Sequence, residues 1–364
     1  MPTEFEIPEK YPRGTEVKLP HGGLPEVIPP YLKKLVEETG GPTGPIGLQF
    51  VAQPRLEMFH FNGVATDSLM EDLHEVAPGL VYKYQERELY GKKYPGRALW
   101  TVTRMCAAYC RFCTRGREVG IPANERGVTN GALADTPTLS DKQIEESLKY
   151  IRETPGLNEI ILSGGDPLTL NPSKLSYILG ELRKIQESGK IDIVRIGTRV
   201  PIHNPPAIKE KHYEAIAQLI NPYMMIHINH PAELTPEALN VLHRFKKDCN
   251  AEVLSQTVLL AGVNDSVDTL SELFMKMAKE GIRPYYVFQC DPVYWANHLT
   301  VPLGRAIDLW QELRPILSGV AATARFVIDA PGGYGKIAIP EGDSWKVDYL
   351  EGYKDFEGIT RPID

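Results

Sequence analysis

From Arg97 onward the chain alternates between two textures. Short apolar runs rich in β-branched residues recur as "ALWTVTR" (98–104), "EIILSGG" (159–165), "DIVRIGT" (192–198), "YMMIHIN" (223–229), "VLSQTVLL" (253–260), "PYYVFQC" (284–290) and "ARFVIDA" (324–330). Between them lie charged stretches with apolar residues at helical spacing, such as "DKQIEESLKYIRE", "PSKLSYILGELRKIQES" and "SVDTLSELFMKMAKEG". Runs that are apolar on both faces predict parallel strands covered by helices. Their repetition predicts an α/β fold, a partial parallel (β/α)6-type TIM-like barrel whose chemistry lies at the carboxyl ends of the strands.

Before Arg97 the pattern is different. Residues 1–95 are rich in Pro, Gly and charge, with one amphipathic helix candidate in "EVIPPYLKKLVEETG". The change of texture predicts a mostly helical extension over 1–95, the barrel over 96–340 and a short tail over 341–364. No internal repeat or low-complexity tract interrupts this organisation.

Three of the five cysteines, Cys106, Cys110 and Cys113, fall in "MCAAYCRFC" directly after the first barrel strand. Three thiolates on one short loop can hold three corners of an iron–sulfur cluster, leaving the fourth iron open to a small chelating molecule. Zinc, which normally takes four protein ligands, is the second reading. Three unrelated buried thiols are the bland one, and the tight spacing speaks against it. Cys249 and Cys290 stand alone, at a helix end and a strand end.

Composition narrows the setting. The 364 residues are 42% hydrophobic and 24% charged, the profile of a soluble globular protein. A net charge of −7 with no basic block argues against nucleic acid and against an anionic membrane surface. No apolar run reaches spanning length, and "MPTEFEIPEKYPRG" has no apolar core for a signal peptide. A cytoplasmic setting is therefore the expectation, and reduced, clustered cysteines read there as metal ligands before disulfides.

The C-x3-C-x2-C triplet, with Phe112 before its last cysteine, resembles the radical S-adenosylmethionine (SAM) superfamily. So does "ILSGGDPL" after the second strand. The run of "CRFCTRGR", "SGGDPL", "RIGTRVPI", "HINHPAELTPEAL", "QTVLLAGVND", "RPYYVFQCD" and "FVIDAPGGYGK", in that order, resembles the lysine 2,3-aminomutase family from about residue 75 to 340.

That resemblance implies a [4Fe-4S] cluster on Cys106, Cys110 and Cys113, with SAM chelating the open iron. Ser163, Gly164, Gly165, Asp166, His227 and Gln256 match positions that meet SAM. Lys336 matches the lysine that carries pyridoxal 5′-phosphate, and Arg97 the arginine on its phosphate, a task suited to a guanidinium fork. Arg115 matches the clamp on the substrate carboxylate. Asp291 and Asp329 match positions that are acidic when the substrate has a distal ammonium, which favours L-lysine. The alternatives are the same cofactors acting on arginine or ornithine or with a different radical outcome, and a non-catalytic iron–sulfur or zinc protein, against which Lys336, Arg97 and Arg115 speak. The implied reaction moves the α-amino group to the β-carbon after a SAM-derived radical takes a hydrogen there. A flavodoxin or ferredoxin would supply the electron, and a homo-oligomer stays open.

The sequence also departs from the family. Tyr334 interrupts its glycine run, and "YGKKYPG" (90–96) reads as an insertion. Ser266 stands where the family zinc site has a cysteine, and the C-terminal zinc-binding cysteines are missing, so no zinc is expected. Phe288 replaces a tyrosine, and "DPVYWANHL" (291–299) differs enough to reshape the far end of the pocket.

Overall fold

A computed structural model describes residues 24–57, 67–84, 96–120, 137–329 and 336–339, with backbone alone for short strand pairs such as 87–89 with 92–94. Ten strands form one open sheet: β1 (Glu75–Ala77), β2 (Leu80–Tyr84), β3 (Gly96–Thr101), β4 (Leu157–Ser163), β5 (Ile193–Thr198), β6 (Tyr223–His227), β7 (Glu252–Leu259), β8 (Arg283–Gln289), β9 (Arg325–Asp329) and β10 (Lys336–Ala338). Each strand pairs with its neighbours in number. Strands β3 to β9 are parallel, while β1, β2 and β10 run antiparallel at the two edges. Six strand-and-helix units and a seventh strand thus make the expected partial barrel, and β1 does not meet β10 to close it.

The covering helices are α2 (Asp141–Glu153), α3 (Pro172–Glu187), α4 (Glu210–Ile216), α5 (Pro236–Cys249), α6 (Val267–Lys279) and α7 (Leu303–Leu313), one in each crossover. Their starts are written in the sequence. Ser140 and Gln143 form a reciprocal capping box on α2. Thr235 caps α5, and Ser266 caps α6 by accepting from the Thr269 amide. Ser266, which stands at the family's zinc position, is thus a helix cap here.

Alternation along the strands sorts two faces. Ala98 and Trp100 of β3, Ile160 and Leu162 of β4, and Val194 and Ile196 of β5 pack outward under the helices in the main core. Arg97, Leu99 and Thr101, then Glu159, Ile161 and Ser163, then Arg195 and Gly197, face the lumen in the opposite parity. Every βα unit buries its outer face this way, at about 1.5–3 kcal/mol per large aliphatic side chain.

The segment before the barrel contains α1 (Pro30–Glu38), where the amphipathic pattern placed a helix, and several short helical turns. It also contributes β1 and β2 to the sheet, which its Pro- and Gly-rich texture does not announce. A buried ion pair ties this segment to the cysteine loop: Arg111 Nε donates to Glu57 Oε1 at 2.8 Å, and Arg111 Nη1 reaches the Leu24 and Pro25 carbonyls.

Candidate active site

The strand β3 ends at Thr101, and the chain passes straight into the cysteine loop. Backbone bonds fix that loop in place, with Arg111 N donating to Gln49 O and Gly120 N to Arg104 O. The strand β4 ends at Ser163 and brings Gly164 and Gly165 alongside. Gly165 N donates to Thr103 O at 2.6 Å, and Asp166 N to Met105 O at 2.8 Å. A Cβ on Gly164, at φ +133°, would lie 2.2 Å from Thr103 O; one on Gly165 would lie 2.3 Å from Met105 O. Only glycine lets the two loops meet so closely.

The three thiols share one half-buried locality. Burial, and then Cys113, Asp166 and Cys110, push Cys106 well up from the usual thiol range. Burial and Cys110 push Cys113 up to about 12, against the pull of Arg115. Arg199 Nη1 donates to Cys110 Sγ at 2.9 Å. Among the described residues no three His, Cys, Asp or Glu side chains converge on a point for a single metal ion. A cubane cluster asks for something else, one thiolate per iron, and three thiols presented by one loop beside a cationic donor fit that demand.

His227 and Gln256 end up side by side, paired in register across β6 and β7. His227 is half-buried, its ring edge-on to Phe112 at 5.4 Å, and its Nε2 is buried with no hydrogen-bond partner. Burial, with Arg199 nearby, holds its pKa well below the usual range, so it stands neutral at the barrel mouth. Asp166 does different work. Its carboxylate accepts from Thr198 Oγ1 at 2.8 and 2.9 Å and from the Arg199, Val200 and Leu168 amides. These bonds brace the β4 loop against the turn after β5, while burial raises the acid to about 6.

At the other edge, β9 and β10 place Asp329 directly opposite Lys336, and the two side chains form an ion pair. The Lys336 ammonium also lies 4.4 Å from the Phe288 ring centre and 5.7 Å from that of Tyr286. Asp291 lies just past the end of β8. Residues 330–335, with the glycine run and Tyr334, lie outside the described residues.

Arg115 closes on Glu71, and its Nη1 faces Ser163 Oγ at 3.4 Å and the Gly164 carbonyl at 3.3 Å. Arg97 sits near the amino end of β3, away from the cysteine loop, where Glu159 reaches both Arg97 Nε at 3.6 Å and Arg195 Nη2 at 2.5 Å. The structure therefore gathers the cysteines, the glycine pair, His227, Gln256, Asp329 and Lys336 at one end of the barrel, with Arg97 deeper in the lumen.

The radical SAM superfamily matches residues 100–273. An L-lysine 2,3-aminomutase of Clostridium subterminale is 33% identical over 86% of this chain and 68% of its own length. The chain belongs to the lysine 2,3-aminomutase family. The Bacillus subtilis L-lysine 2,3-aminomutase is 34% identical over 87% of this chain, and that of Methanococcus maripaludis 30% identical over 95%. The chain spans 61% of the length of the Bacillus protein and 73% of that of the Methanococcus one.

Sequence reasoning passed over several residues that shape this site. Arg199 lies inside "RIGTRVPI" without drawing notice, since nothing local marks it as facing a cysteine. Glu71 is likewise silent, while Trp295 enters the sequence reading only as a departure within 291–299 expected to reshape the far end of the pocket. Trp295 Nε1 donates to Cys113 O at 2.9 Å, so "DPVYWANHL" packs on the cysteine loop. No helix among the described residues is long and apolar enough to cross a membrane.

Proposed function

We infer that this chain is a radical SAM, pyridoxal phosphate-dependent 2,3-aminomutase that moves the α-amino group of L-lysine to the β-carbon. One observation carries the substrate assignment: Asp329 already holds a lysine-type ammonium, that of Lys336, at the barrel mouth. The same carboxylate can hold the distal ammonium of a bound lysine, with Asp291 as the second acid.

In this reading Cys106, Cys110 and Cys113 hold a [4Fe-4S] cluster. The Ser163-Gly164-Gly165 turn, His227 and Gln256 face SAM, and Asp166 keeps the turn in place. The buried, unpartnered Nε2 of His227 is what a polar ligand at this point would satisfy. Lys336 carries pyridoxal phosphate, flanked by the Phe288 and Tyr286 rings, which offer flat apolar surface to a flat ring. Arg97 takes the phosphate and Arg115 the substrate carboxylate. When bound, the cluster and SAM supply a carbon-centred radical and pyridoxal phosphate an electron sink for nitrogen migration, while the protein orients the reacting atoms. A single-electron donor of the flavodoxin or ferredoxin class and a cytoplasmic setting complete the proposal.

The test is anaerobic reconstitution with iron, sulfide and pyridoxal phosphate, then reductant, SAM and L-lysine, with products read by mass spectrometry after derivatisation. β-Lysine is the expected product. 5′-Deoxyadenosine without β-lysine would redirect the search to arginine and ornithine. Neither product from a cluster-loaded, pyridoxal-loaded enzyme would overturn the aminomutase reading.

A further inference from the structure

Arg199 is almost wholly buried at the turn after β5. Its guanidinium is sandwiched by the Phe50 ring at 4.5 Å and the Phe112 ring at 5.2 Å. Its Nη2 donates to Glu233 Oε1 at 2.6 Å and to Gln49 Oε1, and its Nη1 to Cys110 Sγ at 2.9 Å. Those partners come from three separate parts of the chain. Glu233 is itself held by the Asn229 and His230 amides, and Gln49 by Asn229 Nδ2 at 2.9 Å. The fork is fixed, dry and aimed at one sulfur.

Glu233 balances the charge of the guanidinium, but it and Gln49 both take Nη2, Nε has no hydrogen-bond partner, and the acceptor that Nη1 meets is the Cys110 sulfur. The other arginine near the thiols, Arg115, has its fork closed on Glu71 instead. Arg199 alone among the described residues places a guanidinium N–H on a cysteine of the triplet.

We propose that Arg199 sets the reduction potential of the cluster through its N–H···S bond to Cys110, stabilising the reduced state. This rests on the cluster reading above. One electron passes from a reduced single-electron carrier to the cluster, which becomes more negative by one charge while no covalent bond or proton moves. Hydrogen bonds to cluster sulfurs raise its potential, and a fixed cation in a water-poor site strengthens that effect. Glu233 works the other way, since its charge offsets part of the guanidinium's field. Arg199 is thus a positioning residue for the electron-transfer step and touches neither substrate nor reacting carbon.

The experiment is a potentiometric titration of the reconstituted full chain, reading the electron paramagnetic resonance of the reduced cluster. Arg199→Gln should lower the equilibrium constant for reduction about tenfold, a shift of ~59 mV to more negative potential. Arg199→Lys, which keeps the charge but cannot span the same partners, should fall between. Glu233→Gln should shift the potential upward, a sign that loss of packing does not predict. If wild-type protein assembles no cluster, the cluster reading itself fails. If the cluster forms and the potentials of Arg199→Gln and Glu233→Gln match wild type, the cluster stands and the tuning role is overturned. Should Arg199→Gln fail to fold, Arg199→Lys and Glu233→Gln decide between the same two outcomes.

Discussion

The guanidinium of Arg115 meets the carboxylate of Glu71 fork to fork, Nε to Oε2 at 2.6 Å and Nη2 to Oε1 at 2.9 Å. Burial pulls the Arg115 pKa down, and Glu71, by charge and by hydrogen bond, outweighs it. The pair stands where Arg115 is proposed to hold a substrate carboxylate, so Glu71 supplies in the chain the group that the ligand would bring. Two opposing effects of Glu71→Gln follow. Leaving a buried guanidinium uncompensated should cost about 3–5 kcal/mol in urea unfolding. With the competing carboxylate gone, KM for L-lysine should fall. A rise in KM would instead make Glu71 the residue that aims Arg115 at its ligand.

The glycine turn is the tightest point of the site. At Gly164 the φ of +133° disfavours any side chain, and the Thr103 carbonyl leaves no room for one. Gly164→Ala should cost about 3 kcal/mol, strain and forced separation together. Gly189→Ala is the control, because Gly189 also has positive φ but nothing within 4 Å of a Cβ, and it should lose only ~1–2 kcal/mol. Iron retained after reconstitution should drop in Gly164→Ala and not in Gly189→Ala. Equal losses in the two variants would remove the loop-to-loop contact as the cause.

The barrel was legible because its signal is local and repeated. Seven apolar runs each became a parallel strand, and Ser140, Thr235 and Ser266 cap helices where such residues are expected to. The cysteine triplet and the glycine pair were legible for the same reason, being short motifs with fixed spacing. Contacts between distant residues were not. Glu71 and Arg115 are 44 residues apart, Arg199 and Cys110 89 apart, and Trp295 and Cys113 182 apart. A sequence holds no periodic trace of such meetings, because they arise only once strands from different units are brought to one mouth. β1 and β2 were missed for a related reason: β2 pairs with β3 and β1 with β2 at the barrel edge, and that pairing outweighs weak local strand patterning.

Lys336 gives the most direct test of the pyridoxal assignment. Borohydride treatment of protein loaded with pyridoxal phosphate should fix one pyridoxyl group on the peptide containing Lys336, located by mass spectrometry. Lys336→Ala should take up none and lose activity. Asp329→Asn should keep the label yet weaken L-lysine binding, since the amide retains the shape but not the charge that faces an ammonium. A label on another lysine in the wild-type protein would sink the assignment. An unchanged KM for L-lysine in Asp329→Asn would remove that acid from substrate binding.

The thiols of the cluster-free chain should show their environment in their pH dependence. Burial first, then neighbouring Cys113, Asp166 and Cys110, raise Cys106 well above the ordinary range, and burial with Cys110 lifts Cys113 to about 12. Both are therefore neutral thiols at physiological pH, and thiolate rather than thiol is the nucleophile. Alkylation of Cys113 by iodoacetamide should climb about tenfold per pH unit, without the plateau an ordinary thiol reaches above its pKa of ~8.5. The sign for stability follows from the same shifts. Because the folded-state values are raised, stability is fully present below the unfolded thiol pKa and is lost as pH rises from there through about 12. The urea midpoint of the cluster-free chain should thus fall between about pH 8 and about pH 10, and fall less in a variant with Cys106 and Cys113 both changed to Ala. Cluster assembly must expel these protons, so it should proceed further at the upper end of that range. If alkylation levels off near pH ~8.5, the thiols are not held in the shared, desolvated locality from which the cluster site is built.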